Sequence, residues 1–186
     1  AFVRSKESLL EKTIDTKRIY EGRILNLRLD SVLLPNGREA EREVVEHGGA
    51  VCIVPLEEDG TVHMVRQFRY PFNEEVLEIP AGKLDPGELV SDAANRELEE
   101  EVGMKAEELV YLGEFRPSVA YLTEVIHIYL AKGLHKTHQH LDEDEFLNVE
   151  QYSLDSLVQM IFENKITDGK TRAALLQVKL MESEKK

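Results

Sequence analysis

Polar and apolar positions change their period several times along the chain, and each change marks an element. Between Arg18 and Glu46, the residues Ile24, Leu25, Leu27, Leu29, Val32, Leu33 and Leu34 alternate imperfectly with polar ones, which predicts strands. Pro35, Asn36 and Gly37 supply a hairpin turn, and Glu41 to Glu46 reads as the returning strand. A meander this thin needs a partner surface. Residues 1–16 are polar and read as a frayed or short helical lead-in. His47, Gly48 and Gly49 form a hinge, which divides the chain into an N-terminal β meander (1–46) and a main domain (47–186).

In the main domain, Ala50 to Leu56 is a short apolar strand, Glu57 to Gly60 a turn, and Thr61 to Phe68 the return. Glu75 to Ile79 is another strand and runs into a Gly/Pro loop. Strong helix formers follow from Leu89 to Val102, with Ala94, Leu98 and Val102 on one stripe, and Gly103 provides a C-terminal stop. Glu108 to Phe115, Glu124 to Ala131 and Glu145 to Tyr152 read as strands. Gly133 to Glu145 is polar and acidic and reads as a mobile loop. Its His135, His138 and His140 could bind a metal, although solvated loop residues are the simpler account. Ser153 caps a helix to Asn164, and Asp168 opens an amphipathic helix to Met181. Strands in hairpins with a few helices predict an α/β fold, a mixed sheet with helices on its faces.

Composition narrows the function. At 186 residues with 42% hydrophobic content, the chain can bury a sizeable core. A net charge of −13 argues against a nucleic-acid partner, which needs a basic footprint. A small anionic substrate stays compatible if bound cations and a few arginines invert the local field. No run approaches the ~18 apolar residues of a membrane span, and the N-terminus lacks a signal-peptide pattern. The absent initiator Met is read as processing or as a boundary of the expressed piece. The single cysteine, Cys52, lies in an apolar strand and reads as a core thiol, so a reducing cytoplasm fits.

The chemistry concentrates between Gly82 and Met104. From Glu88 to Glu101 there are six acids and one base, Arg96. On a helix at ~100° per residue, Glu97, Glu100 and Glu101 share a face. Like charges at that spacing each cost about 0.2–0.5 kcal/mol. A solvated acidic face is the plain account. The neighbouring glycine loop argues for more, because it lets a backbone carbonyl converge with the carboxylates. Oxygen-only ligands in a tight cluster suit a hard divalent cation, Mg²⁺ or Mn²⁺, and the stretch has no Cys or His for zinc.

At these residues the sequence resembles the Nudix hydrolases. Gly82, Glu88, Arg96, Glu97, Leu98, Glu100, Glu101, Gly103 and Met104 fill every fixed position of the family signature. The resemblance implies an α/β/α sandwich with a mixed sheet, the signature forming loop–helix–loop, and an N-terminal antiparallel β meander. It also implies Mg²⁺-dependent cleavage of a nucleoside diphosphate. Glu97 and Glu101 would hold the metal with the carbonyl of Ala81. Glu100 would be a ligand or close support, and Glu88 and Arg96 would tie loop to helix.

Outside the signature, the resemblance runs from about Arg18 to the C-terminus and points to the ADP-ribose pyrophosphatase branch. Its pieces include Arg42 with Glu43, Val65 to Arg69, Leu77 to Gly82 and Leu141 to Phe146. It implies that Arg42, Glu43 and Arg69 contact substrate and that Glu124 holds the terminal ribose. The catalytic base would come from the loop before the last strand: Glu143 is the candidate and Glu145 the competitor, with Glu145 matching a metal ligand. A homodimer through the meander is implied as well. Tyr20 or Tyr70 could stack on the adenine, since the chain has no Trp. One departure stands out. Ser118 matches the branch, but Val119 and Ala120 replace its Pro and Gly. The expected reaction is ADP-ribose to AMP and ribose 5-phosphate. The alternatives are another nucleoside diphosphate sugar, such as GDP-mannose, or a non-catalytic nucleotide-sensing domain.

Overall fold

The computed structural model describes residues 8–141, 143 and 145–184. They fall into two compact units, residues 8–48 with Ser118–Glu124, and Gly49–Pro117 with Val125 onward.

The first unit is an antiparallel sheet of β1 (Lys12–Glu21), β2 (Leu25–Leu33) and β3 (Glu39–His47), in that order. Gly37 turns the β2–β3 hairpin at φ +81°, a left-handed conformation that glycine adopts without cost. From Lys12 on, β1 replaces the lead-in expected for residues 1–16, of which 1–7 lie outside the described residues. Every residue of β1 is exposed, so no face imposes an apolar period. What makes it a strand is β-branching at Thr13, Ile14, Thr16 and Ile19. Ser118–Glu124 is stitched to β3: the Val45 amide donates to the Tyr121 carbonyl (2.7 Å) and the Thr123 amide to the Val45 carbonyl (2.9 Å).

The second unit contains β4 (Ala50–Pro55), β5 (Thr61–Arg69), β6 (Glu74–Glu78), β7 (Ala81–Lys83), α1 (Val90–Glu97), β8 (Met104–Phe115), β9 (Ile126–Lys136), β10 (Leu147–Ser153), α2 (Leu154–Phe162) and α3 (Gly169–Ser183). One sheet has the order β7-β4-β9-β8 and is mixed, since β4 and β9 run parallel and the other pairs antiparallel. The other, β10-β5-β6, is antiparallel. Side chains alternate across β4. Ala50, Cys52 and Val54 pack with Leu157, Ile161, Leu175 and Val178 of α2 and α3. Val51 and Ile53 pack with Ala93, Ala94 and Leu98 on the opposite face. Helices therefore cover both faces of the mixed sheet, and β4 reads as an unbroken apolar run because neither face meets water. Fully burying each large aliphatic side chain stabilises the fold by about 1.5–3 kcal/mol. Burial also pushes the Cys52 thiol up to about 12, so it is a core group and not a nucleophile.

Both predicted caps form. Ser153 accepts the Ser156 amide (3.2 Å) and Asp168 the Thr171 amide (2.9 Å). β9 continues to Lys136 in register with Met104 of β8, so the first residues of the expected 133–145 loop are strand. Gly133 at φ +61° and polar outer residues hid that continuation. Asp142 and Asp144 of the loop lie outside the described residues.

Candidate active site

β6 leads through Pro80 into β7, which is only three residues long and pairs Ala81 with Cys52 and Gly82 with Val51. This fixes a short piece of backbone against the helix that follows. The Ala81 amide donates to Glu101 Oε2 (2.9 Å). At Gly82 a β-carbon would stand 1.8 Å from Cδ of Glu97 and 1.9 Å from its Oε1, so only glycine fits beneath that carboxylate. The loop and the two glutamates are thus built against each other.

The helix differs from the continuous α-helix expected for Leu89 to Val102. α1 ends at Glu97, and Leu98–Val102 forms a π-helical turn. Gly103 then stops it at φ +68°. Residue pattern gave no warning, since a π turn has no local code and is selected by tertiary packing. The effect is to bury Glu97 and Glu101 while Glu100 stays partly exposed and Glu99 turns to Lys105 (3.0 Å).

Arg96 organises the acids. Its Nε and Nη2 fork onto Glu88 (2.9 Å each), its Nη1 reaches Glu97 (2.7 Å) and Glu100 (2.9 Å), and Nη2 also meets the Lys83 carbonyl (3.1 Å). Part of the repulsion within the acidic run is therefore offset locally, because one planar guanidinium serves three carboxylates. It does not cancel the cost of burying two of the acids. Burial pushes Glu97 up to about 7 against the opposing pull of Arg96. Burial pushes Glu101 up to about 8, opposed by the Ala81 amide and reinforced by the charges of Glu97 and Glu145. Two buried carboxylates with a weakened hold on their own charge can accept a cation.

Among the described residues, no three or more His, Cys, Asp or Glu side chains are gathered into a ready-made ion site. The donor chemistry still fits a hard divalent ion, because the groups at hand are the carboxylates of Glu97, Glu100 and Glu101 and backbone at Ala81. Glu145 is exposed, yet its charge acts on both Glu97 and Glu101. Glu143 is exposed too.

Two groups of contacts escaped sequence reasoning. The segment after β9 is strapped to the end of the helix. The Thr137 amide donates to the Gly103 carbonyl (2.8 Å), Gln139 Nε2 to the Glu101 carbonyl (2.6 Å) and the His140 amide to the Glu100 carbonyl (3.1 Å). A β-carbon at Gly103 would stand 2.8 Å from the Gln139 nitrogen, so that glycine admits the strap as well as ending the helix. His140 thus contributes its backbone, and its ring Nδ1 donates to the His138 carbonyl (2.9 Å). Second, Arg69 forks onto buried Glu78 (2.6 and 2.8 Å), which Lys170 also contacts. A lysine in an amphipathic helix reads as solvated, and nothing local marked this one as buried.

The remaining candidates, apart from Tyr70, lie in the first unit. Arg42 forks onto Glu11 (3.0 and 2.7 Å), not onto Glu43, since neighbouring residues of a strand face opposite sides. Glu43 is exposed and sits opposite Leu29. Glu124 faces His47 (3.6 Å), and the Ser118 carbonyl accepts the Leu122 amide (3.3 Å). Tyr20 and Tyr70 are both exposed.

Comparison with known proteins agrees with this architecture. Residues 46–175 match the NUDIX domain model, and residues 11–45 match the model of the nucleoside diphosphate sugar hydrolase N-terminal domain. The chain is 43% identical to the methanol dehydrogenase activator of Bacillus methanolicus, covering 94% of this chain and 96% of that one. It is 38% identical to the ADP-ribose pyrophosphatase of Bacillus subtilis, covering 95% and 97%. A crystal structure of an ADP compounds hydrolase superposes with a TM-score of 0.86 at 25% identity, over 97% of this chain and 98% of that one. With every signature position filled, the helix-covered mixed sheet in place and the family model spanning most of its length, this chain belongs to the Nudix family.

Proposed function

We propose that the chain hydrolyses the diphosphate of ADP-ribose to AMP and ribose 5-phosphate with Mg²⁺, for which Mn²⁺ can substitute. The observation that carries this reading is the pair of buried carboxylates, Glu97 and Glu101, set against the backbone of Ala81 and Gly82. The names of the Bacillus subtilis relative and of the superposed hydrolase support the substrate class.

Glu97 and Glu101, with Glu100 and the Ala81 carbonyl beside them and Glu145 from the loop, would hold the ion. When bound, it supplies positive charge to the diphosphate and a more acidic water. Arg69 would bind and orient the substrate; Arg42, Glu43, Ser118 and Glu124 of the first unit are the further substrate contacts that the resemblance implies. Glu143, with Glu145 as competitor, would take the proton of the attacking water. Water adds hydroxide to one phosphorus, the bridging oxygen leaves with the other, and the proton taken by the base returns to solvent. Release of AMP and ribose 5-phosphate, followed by chromatography with and without Mg²⁺, tests the reading. Absence of AMP under saturating Mg²⁺ would contradict it.

A second substrate reading, another nucleoside diphosphate sugar, is favoured by the N-terminal match and by Val119 and Ala120 in the Ser118 loop. A panel including GDP-mannose and dinucleoside diphosphates decides between them by kcat/KM. We further infer a cytoplasmic homodimer that binds neither nucleic acid nor membrane. Its support is the exposed Ile14, Ile19, Tyr20, Ile24 and Leu25 of the first unit, the negative net charge, and the lack among the described residues of any helix long and apolar enough to cross a membrane. Light scattering should give twice 21.2 kDa.

A further inference from the structure

Glu78 closes β6 and is only 2% exposed. Two cations share it. Arg69 holds it through both carboxylate oxygens, and Lys170 Nζ donates to Oε2 (2.5 Å). Lys170 is itself buried and also donates to Asp168 Oδ2 (3.0 Å), the cap of α3. One residue on, the fully buried Thr171 accepts the Ile79 amide at its hydroxyl (3.0 Å). The first turn of α3 therefore grips Glu78 and Ile79 at the entrance to the Ala81–Gly82 backbone.

The charges are distributed unevenly. A buried carboxylate with one guanidinium beside it would close into a neutral ion pair. A second cation on Glu78 changes this, because the carboxylate no longer balances Arg69 alone. Asp168 takes up part of the Lys170 charge, but it also accepts the Thr171 amide and sits at a helix N-terminus, where a negative charge is stabilised independently. The side chain of Arg69 is 40% exposed, so an anion can reach its free edge.

We propose that Lys170 is a positioning residue: neutralising Glu78 from behind, it fixes the direction of the Arg69 guanidinium and leaves its charge available to the substrate's diphosphate. The proposal rests on the reading of Arg69 as a substrate-binding residue.

The test is the steady-state kinetics of ADP-ribose hydrolysis, with thermal denaturation in parallel, for four variants. Lys170→Met is expected to raise KM by about tenfold with kcat within about twofold of wild type. Lys170→Arg, which keeps the charge, should return KM to within about threefold. Arg69→Gln should raise KM at least as far as Lys170→Met. Because Lys170→Met removes a buried cation and could fail to fold, Glu78→Gln/Lys170→Met removes both charges; it should melt near wild type and, with no carboxylate left to offset Arg69, bring KM back to within about threefold of wild type. Unchanged KM in Lys170→Met, or a KM still raised about tenfold in the double variant, with KM raised in Arg69→Gln, overturns the proposal and leaves the Arg69 reading standing. Unchanged KM in Arg69→Gln overturns both.

Discussion

Gly82 lies so close beneath Glu97 that a β-carbon would stand 1.8 Å from its Cδ. The obstacle is a carboxylate held by Arg96 and walled in by packing, so it cannot simply swing aside. Gly82→Ala should fold, since the clash is with a side chain, but Glu97 must leave its place. A displacement of about 1 Å at a catalytic group can cost about a hundredfold in rate, and kcat should fall by at least that much. Circular dichroism should stay native-like. A Gly82→Ala enzyme with wild-type kcat would mean that the Glu97 position is immaterial.

Arg96 serves three acids through a planar fork. Lysine keeps the charge and loses the geometry. Arg96→Lys is expected to cost about 1–2 kcal/mol after allowance for solvent screening of these part-exposed pairs. A differential scan should show a Tm lower by roughly 2–8 °C. Equal Tm for the two proteins would show that a point charge suffices.

Burial raises Glu97 to about 7 and Glu101 to about 8, from an ordinary value of 4.5. The sign follows from proton linkage. A raised folded-state value means that the folded protein binds the proton more tightly than the unfolded chain. That stabilisation is complete below about pH 4.5 and is lost as pH rises through about 7 to 8. The metal-free protein should therefore lose thermal stability between about pH 5 and pH 8 by this route. Mg²⁺ added near pH 8 should restore it, because an ion bound only by the folded state stabilises that state. A Glu97→Gln/Glu101→Gln variant should show a flatter profile and little response to Mg²⁺. Identical profiles for the two proteins would remove these carboxylates as the source.

Glu145 and Glu143 separate by their electrostatics. The Glu145 charge acts on Glu97 and Glu101, whereas Glu143 is simply exposed. Glu145→Gln should weaken Mg²⁺ binding in calorimetry. Glu143→Gln should leave that binding intact and lower kcat by about 10²–10⁴-fold, the range for a lost general base. Unchanged turnover in Glu143→Gln would pass the role to Glu145.

Much of this was legible in the sequence, for identifiable reasons. β4 was plain because both its faces are buried, and the caps at Ser153 and Asp168 because their chemistry is local. The signature acids stood out because their repulsion demands compensation. β1 was invisible because an exposed strand has no apolar period. The π turn at Leu98–Val102 and the straps from Thr137, Gln139 and His140 depend on distant residues. So does the pairing of Lys170 with Glu78, which lie 92 positions apart.

The central claim is that the Glu97 and Glu101 carboxylates tolerate their burial because a divalent ion binds among them with the diphosphate. Anomalous diffraction from crystals soaked in Mn²⁺ and ADP-ribose tests this most directly. The account predicts an anomalous peak in contact with oxygens of Glu97 and Glu101. Full substrate occupancy with no peak there, and the two carboxylates turned to water, would contradict it.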